Sequence, residues 1–391
     1  MSSRLLEVLG YSCRGGAASS LCELVPGLLR GGFEVTVAAP PEPRFAAAVT
    51  SAGARFVAVP MAGRGDWRSL ARLIQLVRRG RFDVVHTHCR NADLHGGLAA
   101  KSCGVPLVVH LRGLLVDGGG ATGGGLVDRF HRAFVARAAD RIVAVSEAVR
   151  RRALSLLRVP PERVVTVRNG VDLDRFAAPR EPARTRLREQ LRIPENAPLL
   201  LAIGTLGRCK GQDVLLRALA LLPESVHALL VGGADGHARE ELERLVRSLG
   251  VGPRVRFLGP RDDVPELLAT SDLLVQPSRW EGFGRAVAEA MAAGVAVVAS
   301  DVDGLREIVE HDRTGLLVPP DRPELLARAL ARLLDRSSGR ELRRRLADSA
   351  RAFAREQLDV RDTAARVATL LREVAGSRRA VETEALAEAR P

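Results

Sequence analysis

Residues 273–300, LLVQPSRWEGFGRAVAEAMAAGVAVVAS, decide the fold class. A short apolar strand (LLVQPS) leads into a turn with two glycines, which is followed by a helical stretch and a second all-apolar strand (VAVVAS). Apolar strands that alternate with helices are typical of a parallel sheet with helices on both faces. The segment therefore predicts one βαβ unit of an α/β fold.

The same alternation continues on both sides of this unit. The sequence predicts strands at 4–10, 33–39, 55–59, 83–87, 106–111, 141–145, 163–168, 198–204, 226–232, 254–258, 273–276, 295–299 and 315–318. It predicts helices at 18–30, 68–79, 92–103, 128–138, 212–221, 238–249, 264–269, 284–293, 304–310, 322–335, 339–357 and 361–375.

A Pro- and Arg-rich connector, AAPREPART, interrupts the pattern before it restarts. We therefore predict two doubly wound, Rossmann-like domains, which suits a chain of 391 residues. The first spans 1–170 and is completed by C-terminal helices at about 355–377; the second spans 171–354. Residues 378–391 are predicted to be a disordered tail. In such sheets, ligands bind beyond the carboxyl ends of the strands, where the strand order reverses.

The formal net charge of +13 comes almost entirely from arginine, since Lys101 and Lys210 are the only lysines. A nucleic-acid binder would be better supported by basic runs with interleaved aromatics or by a known binding motif, and neither is present. We predict no nucleic-acid partner and a solvated arginine surface, while weak adhesion to anionic lipid stays open.

Five scattered cysteines without a CxxC pair indicate reduced thiols. No apolar run approaches 18 residues, the length of a transmembrane helix, and MSSRLLEVLG resembles a first strand more than a signal peptide. The sequence thus predicts a cytoplasmic protein, with peripheral contact to the inner face of the membrane left open.

The turn in the opening segment is suited to phosphate. Gly282 and Gly284 allow the backbone to approach a ligand closely, and the amides of Phe283, Gly284 and Arg285 begin a helix. Backbone amides at a helix N-terminus bind anions.

Two carboxylates flank this turn. Glu281 and Glu289 lie eight positions apart, so we expect them to hold different parts of one ligand. A purely structural interpretation stays open, because Arg285 and Glu289 could form a surface i, i+4 ion pair and Glu281 could cap the helix.

A second candidate loop, IGTLGRCKGQD at 203–213, follows a strand and opens a helix. Arg208 and Lys210 lie between its glycines, an arrangement suited to a diphosphate. The loop is not a Walker A motif, since GxxxxGK[ST] is absent.

Histidines stand at predicted strand ends. His110 ends VPLVVHL, and His86 and His88 end FDVVHTH, with His95 nearby. Apart from Cys89, no carboxylate or cysteine cluster accompanies them, so we predict no metal site.

The ordered set of segments resembles glycosyltransferase family 4 over nearly the whole chain. The resemblance rests on Gly15-Gly16 with RGGFEVTV, FDVVHTH, VPLVVHLRG, VSEAV, VRNGVDLDRF, GRCKGQD, LLVGG, VRFLGPRDDVPELLATSDLLVQPS, EGFGRAVAEAMAAGVAVVAS, GLREIVE and RTGLLVPP.

This resemblance implies the GT-B fold class, in which two doubly wound domains face each other across a cleft that holds the active site. It implies a retaining transferase that moves a sugar from a nucleotide-sugar donor to a hydroxyl of a glycan, a lipid-linked acceptor or a small molecule. It also implies that the reaction needs neither a metal nor a cofactor.

The family's residue roles transfer to matching positions. Glu289 would hold the ribose, Glu281 the donor sugar, and the Phe283 and Gly284 amides the sugar–phosphate region. Lys210, with Arg208, would neutralise the diphosphate.

Two further assignments follow from the same resemblance. His110 would lie near the reacting centre, and Gly16 would approach the phosphates. Separately, we expect the choice of base to depend on residues 259–263, where Arg261 is a candidate contact. The predicted catalytic residues are Glu281, His110, Lys210 and Arg208.

Two positions depart from the family pattern. Thr205 stands where many relatives carry a phosphate-binding arginine, a role that Arg208 would take over. Ala296 replaces the usual proline. Acceptor contacts are expected in loops such as 111–128.

Alternatives remain at this stage. A covalent route with Glu281 as nucleophile ranks behind front-face transfer, in which the acceptor enters on the leaving-group side. A sugar-nucleotide epimerase, a glucan synthase and a non-catalytic nucleotide binder are rival functions. The synthase expects Lys-x-Gly-Gly, whereas this chain has Cys13-Arg14-Gly15-Gly16.

Overall fold

The computed structural model describes residues 2–10, 15–63, 65–113, 125–177 and 181–388. The chain divides into two compact units. The first comprises Met1–Asn169 and Val360–Pro391, and the second comprises Gly170–Asp359. The chain thus leaves the first unit once and returns to it at the end.

The described part of the first unit forms a seven-stranded sheet in the order β3-β2-β1-β4-β5-β6-β7. All neighbouring strands pair in parallel. The strands are β1 (Ser3–Leu9), β2 (Phe33–Ala39), β3 (Arg55–Ala58), β4 (Val84–His88), β5 (Leu107–Leu111), β6 (Arg141–Ala144) and β7 (Val164–Thr166). The helices of this unit are α1 (Gly16–Arg30), α2 (Pro43–Ser51), α3 (Trp67–Gly80), α4 (Arg90–Ser102), α5 (Leu126–Ala138), α6 (Glu147–Leu157) and α15 (Val360–Glu388).

The strand order of this sheet reverses between β1 and β4. Register places Leu9 beside His88 and His88 beside His110, so the carboxyl-terminal ends of three adjacent strands share one edge. A reversal of this kind is where doubly wound sheets bind ligands. His88 and His110, two of the three histidines that the sequence placed at strand ends, therefore lie at this edge.

The described part of the second unit forms a six-stranded parallel sheet in the order β10-β9-β8-β11-β12-β13. The strands are β8 (Leu199–Ile203), β9 (His227–Val231), β10 (Val255–Gly259), β11 (Leu273–Gln276), β12 (Ala296–Ser300) and β13 (Leu316–Val318). The helices are α7 (Leu173–Phe176), α8 (Glu181–Gln190), α9 (Gln212–Ala220), α10 (Ala238–Ser248), α11 (Val264–Thr270), α12 (Arg285–Ala293), α13 (Pro323–Leu334) and α14 (Gly339–Gln357).

The second sheet reverses its order between β8 and β11, which pair in parallel through Leu200–Leu273 and Leu201–Leu274. The loops that follow these two strands are the two loops that the sequence marked for phosphate and sugar. Both sheets are buried on both faces by leucine, valine and alanine, which accounts for the unbroken apolar strands in the sequence.

Helix α15 returns the chain to the first unit and packs on α1. A Cβ added at Gly27 would lie 2.3 Å from the Ala364 Cβ, and one added at Gly31 would lie 2.9 Å from the Ala368 Cβ. Only small residues allow two helices to approach so closely. This packing joins α15 to the same apolar cluster as β1 and β2.

The predicted strands are all present, with ends shifted by a residue or two. The predicted helix at 304–310 is wrong: the structure has a short 3₁₀ helix at Asp303–Leu305. Gly304 packs so closely on the loop before α12 that an added Cβ would meet the Gly282 carbonyl oxygen at 2.3 Å. The segment therefore follows a neighbouring loop instead of winding into an α-helix.

Several helices extend beyond the prediction or were missed. Helices α2, α6 and α7 were not predicted, and α8 lies partly within the proposed connector. Helix α15 continues to Glu388, into the stretch that the sequence predicted to be a disordered tail. Ala, Glu and Arg dominate this stretch and favour helix. No helix in the described ranges has the length and apolarity needed to cross a membrane.

Replacing Gly27 by alanine is expected to lower the free energy of unfolding by about 1–3 kcal/mol, because the added methyl overpacks against Ala364. Denaturant titration would measure the change. Gly376→Ala on α15 is the matched control: an added Cβ there meets nothing within 4 Å, so that variant should be unchanged or slightly more stable. Equal effects of the two substitutions would contradict the packing argument.

Candidate active site

Two loops meet at the strand-order reversal of the second unit. We call residues 204–211, after β8, the lysine loop, and residues 277–284, after β11, the glutamate loop. Gly211 has φ +66°, and a Cβ added there would lie 2.0 Å from the Pro277 carbonyl oxygen. The two backbones are therefore in direct contact, and Gly211 is required both for its φ and for this approach.

One ion pair joins the two loops. Lys210 Nζ lies 2.5 Å from Glu281 Oε2, and the side chains are 24% and 13% exposed. Ser278 Oγ approaches the same carboxylate oxygen at 3.4 Å. Burial alone would lower the pKa of Lys210, but the Glu281 carboxylate outweighs it and raises that pKa above its ordinary value. The ammonium is therefore fully charged near neutral pH.

The glutamate loop ends at the N-terminus of α12. Gly284 precedes the helix with φ +93°, and a Cβ there would meet Leu305 Cδ2 at 2.4 Å. No side chain caps α12, so the hypothesis that Glu281 acts as a helix cap is wrong; its carboxylate pairs with Lys210 instead. First-turn amides have no acceptor within their own helix, so this terminus suits an anion.

Phe283 and Glu289 flank that terminus in different ways. The Phe283 side chain is buried with 2% exposure, so its backbone amide is the group that can meet a ligand. Glu289, 7% exposed, pairs with Arg285 at 2.7 Å. The i, i+4 pair that the sequence allowed does form, but its side chains are only 12% and 9% exposed, so it is not a surface pair.

Arg208 and Arg261 are placed differently from Lys210. Arg208 is exposed, and among the described residues its guanidinium has no hydrogen bond or ion pair. Arg261 forms a two-pronged pair with Asp263, with Nε–Oδ1 2.7 Å and Nη2–Oδ2 2.5 Å. The structure thus brings Lys210 and Glu281 together, while Arg261 is already bound within its own loop.

Arg279 is a residue of the site to which the sequence gave no role. Its backbone amide donates to the Cys209 carbonyl oxygen at 2.8 Å, and Nη1 donates to the Arg208 carbonyl oxygen at 2.7 Å. Its guanidinium also holds Asp213 with two bonds of 2.8 Å. The sequence does not show this partnership, because the paired residues lie 66 positions apart.

The corresponding edge of the first unit contains a buried charged network. Glu7 is fully buried in β1; its Oε1 lies 3.0 Å from His86 Nδ1, and its Oε2 lies 2.6 Å from His88 Nε2. Burial opposes ionisation of Glu7, but the two histidines outweigh it and lower the pKa to about 2. Glu7 was overlooked in the sequence, although a carboxylate inside an otherwise apolar strand is itself a signal.

The other ring nitrogen of His88 accepts from Arg112, whose Nη2 lies 2.9 Å away. Arg112 Nη1 also donates to Ser20 Oγ at 2.6 Å. Burial, His86 and Arg112 together lower the pKa of His88 to about 3, against the opposing effect of Glu7. His88 is therefore a neutral bridge between a carboxylate and a guanidinium.

His110 lies on the same edge with 1% exposure, and neither ring nitrogen has a hydrogen-bond partner among the described residues. Burial first, and then the positive charge of Arg112, hold its pKa well below the ordinary value. The imidazole is neutral, so it can either donate or accept a hydrogen bond from a ligand.

His86, His88 and His110 form the group in the described part of the chain that could hold a metal, with nitrogens within 4.8 Å of one another. Both nitrogens of His88 are already engaged, by Glu7 and by Arg112. A metal would have to displace the Arg112 guanidinium and then lie beside its positive charge. The donor set therefore fits a metal poorly.

Gly16 is the first residue of α1, and Gly15 precedes it with φ +112°. The Gly16 amide belongs to a helix N-terminus, as a phosphate contact would require. Of the predicted acceptor loop 111–128, residues 114–124 lie outside the described residues.

Two parallel, doubly wound sheets, with a cation and a helix N-terminus at the strand-order reversal of the second, define a GT-B type glycosyltransferase. Family models agree: "Glycosyltransferase Family 4" matches residues 14–175, and "Glycosyl transferases group 1" matches residues 183–353. The chain belongs to glycosyltransferase family 4.

Curated relatives support this assignment. D-inositol 3-phosphate glycosyltransferase of Xylanimonas cellulosilytica is 38% identical over 290 residues, covering 71% of this chain and 68% of that protein. An Escherichia coli enzyme, UDP-Gal:alpha-D-GlcNAc-diphosphoundecaprenol alpha-1,3-galactosyltransferase, is 28% identical, with coverages of 69% and 71%. The chain therefore matches about two thirds of the length of these relatives.

Solved structures show the same fold. HepE of Anabaena, crystallised with UDP-glucose, has a TM-score of 0.84 and 26% identity over 94% of this chain and 99% of that one. WaaG, a glycosyltransferase of lipopolysaccharide biosynthesis, has a TM-score of 0.74 and 22% identity over 94% and 99%, which supports the fold alone.

The lowered pKa values of His88 and His110 predict a pH dependence of stability. The pKa of His110 is well below its value of about 6.5 in the unfolded chain, so protonation favours the unfolded state. Above about pH 6.5 the imidazole is neutral in both states and stability is unaffected. As the pH falls below about 6.5, the unfolded chain binds the proton and stability is lost. The free energy of unfolding should therefore fall from pH 7 to pH 5, by up to about 1.4 kcal/mol per pH unit for each such histidine.

His110→Phe should flatten this slope, as measured by denaturant titration at several pH values. His237→Phe is the matched control, because the His237 side chain is 90% exposed and should leave the slope unchanged. A His110→Phe slope identical to that of the wild type would show that His110 is not held neutral.

Proposed function

We propose that this chain transfers a sugar from a nucleoside diphosphate donor to an acceptor hydroxyl and retains the anomeric configuration. The contact between Lys210, Glu281 and the N-terminus of α12 carries the proposal, because it joins a cation, a carboxylate and helix amides at a ligand-binding edge. UDP-glucose is the donor to test first, since HepE was crystallised with it.

Charge stabilisation is the main task of the site in this mechanism. As the anomeric bond breaks, negative charge grows on the departing diphosphate, and the Lys210 ammonium and the α12 amides stabilise it. These groups are held in place before reaction, so little reorganisation is needed. No metal is required in this scheme, because the chain supplies the positive charge itself.

Donor binding would separate Lys210 from Glu281. The diphosphate competes with Glu281 for Lys210, and the released carboxylate can then accept hydrogen bonds from the sugar hydroxyls. Glu289 would similarly exchange part of its contact with Arg285 for the ribose. Each carboxylate therefore has a cationic partner that it can exchange for the donor.

Front-face transfer is favoured over a covalent intermediate on Glu281. In this scheme the Glu281 carboxylate, once released from Lys210, accepts hydrogen bonds from the donor sugar hydroxyls and does not attack the anomeric carbon. Mass spectrometry of enzyme quenched during turnover would decide, since a glycosylated Glu281 would support the covalent route.

The acceptor is proposed to be a sugar, a polyol or a lipid-linked sugar. Two relatives are named for the acceptors D-inositol 3-phosphate and a diphosphoundecaprenol-linked GlcNAc. We propose a cytoplasmic site of action on the basis of the scattered, CxxC-free cysteines.

Lys210→Ala should reduce sugar transfer by about 10²–10³-fold, because one preorganised charge contact to the leaving group is lost. Release of UDP from UDP-glucose, measured with a panel of sugar, inositol phosphate and lipid-linked acceptors, would test it. The exposed Lys101→Ala serves as the matched control on the other lysine of the chain and should retain activity.

The same assay separates the rival functions. Turnover of donor without an acceptor, and without release of UDP, would indicate an epimerase, while a lengthening glucan product would indicate a synthase. UDP binding without any turnover would indicate a non-catalytic binder. Near-normal transfer by Lys210→Ala would refute the proposed role of the cation.

We also propose a peripheral membrane contact through α3. Trp67 is 69% exposed at the start of this helix, and Arg68, Arg72 and Arg79 are exposed along it. An exposed tryptophan beside arginines suits the headgroup region of an anionic bilayer.

Vesicles containing phosphatidylglycerol should bind the chain. The triple variant Arg68→Gln, Arg72→Gln, Arg79→Gln should bind roughly 100-fold more weakly at low salt, since each arginine contributes about 1 kcal/mol. Co-sedimentation would measure this. The control triple Arg336→Gln, Arg340→Gln, Arg345→Gln removes the same charge from an exposed part of the second unit. Equal losses would mean that overall charge, not α3, governs binding.

A further inference from the structure

Arg279 connects three separate segments of the second unit. It precedes Glu281 by two residues in the glutamate loop, and its side chain is 18% exposed. Its partners lie in the lysine loop, in the first turn of α9, and at Asp321 after β13.

The contacts of Arg279 fall into two groups, those to backbone carbonyl oxygens of the lysine loop and those to carboxylates. Its backbone amide and Nη1 bind two successive carbonyl oxygens, those of Cys209 and Arg208. The guanidinium is in turn oriented by the two bonds to Asp213 and by Asp321 Oδ1, 2.7 Å from Nε. The carboxylates of Asp213 and Asp321 thus fix the guanidinium, while the backbone amide and Nη1 hydrogen-bond to the lysine loop.

The turn of the lysine loop that Arg279 binds depends on these hydrogen bonds. Residues Arg208–Lys210 form a 3₁₀ helix of three residues between Gly207 and Gly211. A single 3₁₀ turn has poor hydrogen-bond geometry and little stability of its own. Lys210 is the last residue of that turn, so the position of its ammonium depends on what holds the turn in place.

We propose that Arg279 is a positioning residue for sugar transfer, which fixes the turn carrying Lys210 against the loop carrying Glu281. The inference rests on the proposed function of that pair. Arg279 does not touch the reacting atoms in this scheme; it acts through Lys210, and Asp213 acts through Arg279.

The hydrogen bonds from Arg279 to the lysine loop should affect the rate of the chemical step. Stabilising a leaving diphosphate requires the ammonium at a defined place, and a displacement of about 1 Å can cost roughly 10²-fold in rate. A lysine on a loosened turn keeps its charge and can still attract phosphate. We therefore expect kcat to fall more than donor affinity when Arg279 is lost.

The decisive experiment is a double-mutant cycle between Arg279→Met and Lys210→Ala. In the wild-type background, Arg279→Met should lower kcat for UDP release from UDP-glucose by roughly 10–100-fold. In the Lys210→Ala background, the same substitution should change kcat by no more than about twofold, since the group through which it acts is gone.

Supporting variants sharpen the cycle. Asp213→Asn weakens the two-pronged bond that orients the Arg279 guanidinium, and should reproduce part of the kcat loss of Arg279→Met. Arg279→Lys should restore only part of it, because lysine keeps the charge but cannot make the two-pronged bond. Arg313→Met removes an arginine whose pair with Glu310 is exposed, and should leave kcat unchanged.

Each outcome has a definite meaning. Equal losses in the two backgrounds, or an unchanged kcat in Arg279→Met, would overturn the positioning role. UDP affinity by calorimetry and the unfolding midpoint of each variant show whether a loss reflects misfolding. A wild-type chain that neither binds UDP nor consumes UDP-glucose would overturn the proposed function, and this inference with it.

Discussion

The contact between the lysine loop and the glutamate loop is the constraint on which the site depends. Gly211 lies against the Pro277 carbonyl so closely that no side chain fits, and this approach places Lys210 within 2.5 Å of Glu281. Both loops follow adjacent strands at the strand-order reversal, so the sheet itself sets their distance. The fold thus brings opposite charges together before any ligand is present, and their pairing lowers the cost of keeping both partly buried.

The two units solve the problem of buried charge in different ways. In the second unit, each carboxylate of the site faces a cation directly, as in Glu289 with Arg285. In the first unit, the Glu7 carboxylate and the Arg112 guanidinium are separated by the neutral ring of His88. The first arrangement can exchange partners with an anionic ligand, whereas the second is a closed network that fixes the orientation of its members.

The sequence was sufficient for the strands and for the loops, because both depend on local patterns. Apolar runs buried on both faces predict parallel strands, and glycines mark the close approaches at Gly211 and Gly284. Long-range pairs have no local signal, which is why Arg279 with Asp213 could not be predicted. Glu7 is an intermediate case: its burial follows from its strand, but its two histidine partners come from another strand 79 and 81 residues away.

The neutrality of the histidines is consistent with the mechanism that we propose. An oxocarbenium-like state places positive charge on the sugar, and a neutral imidazole adds no positive charge to a ligand that it binds. Burial and Arg112 keep His110 neutral, and its two unpartnered nitrogens leave it able to bind a hydroxyl without adding charge. A buried polar group without a partner costs stability, and a ligand that supplies the missing hydrogen bond would recover that cost on binding.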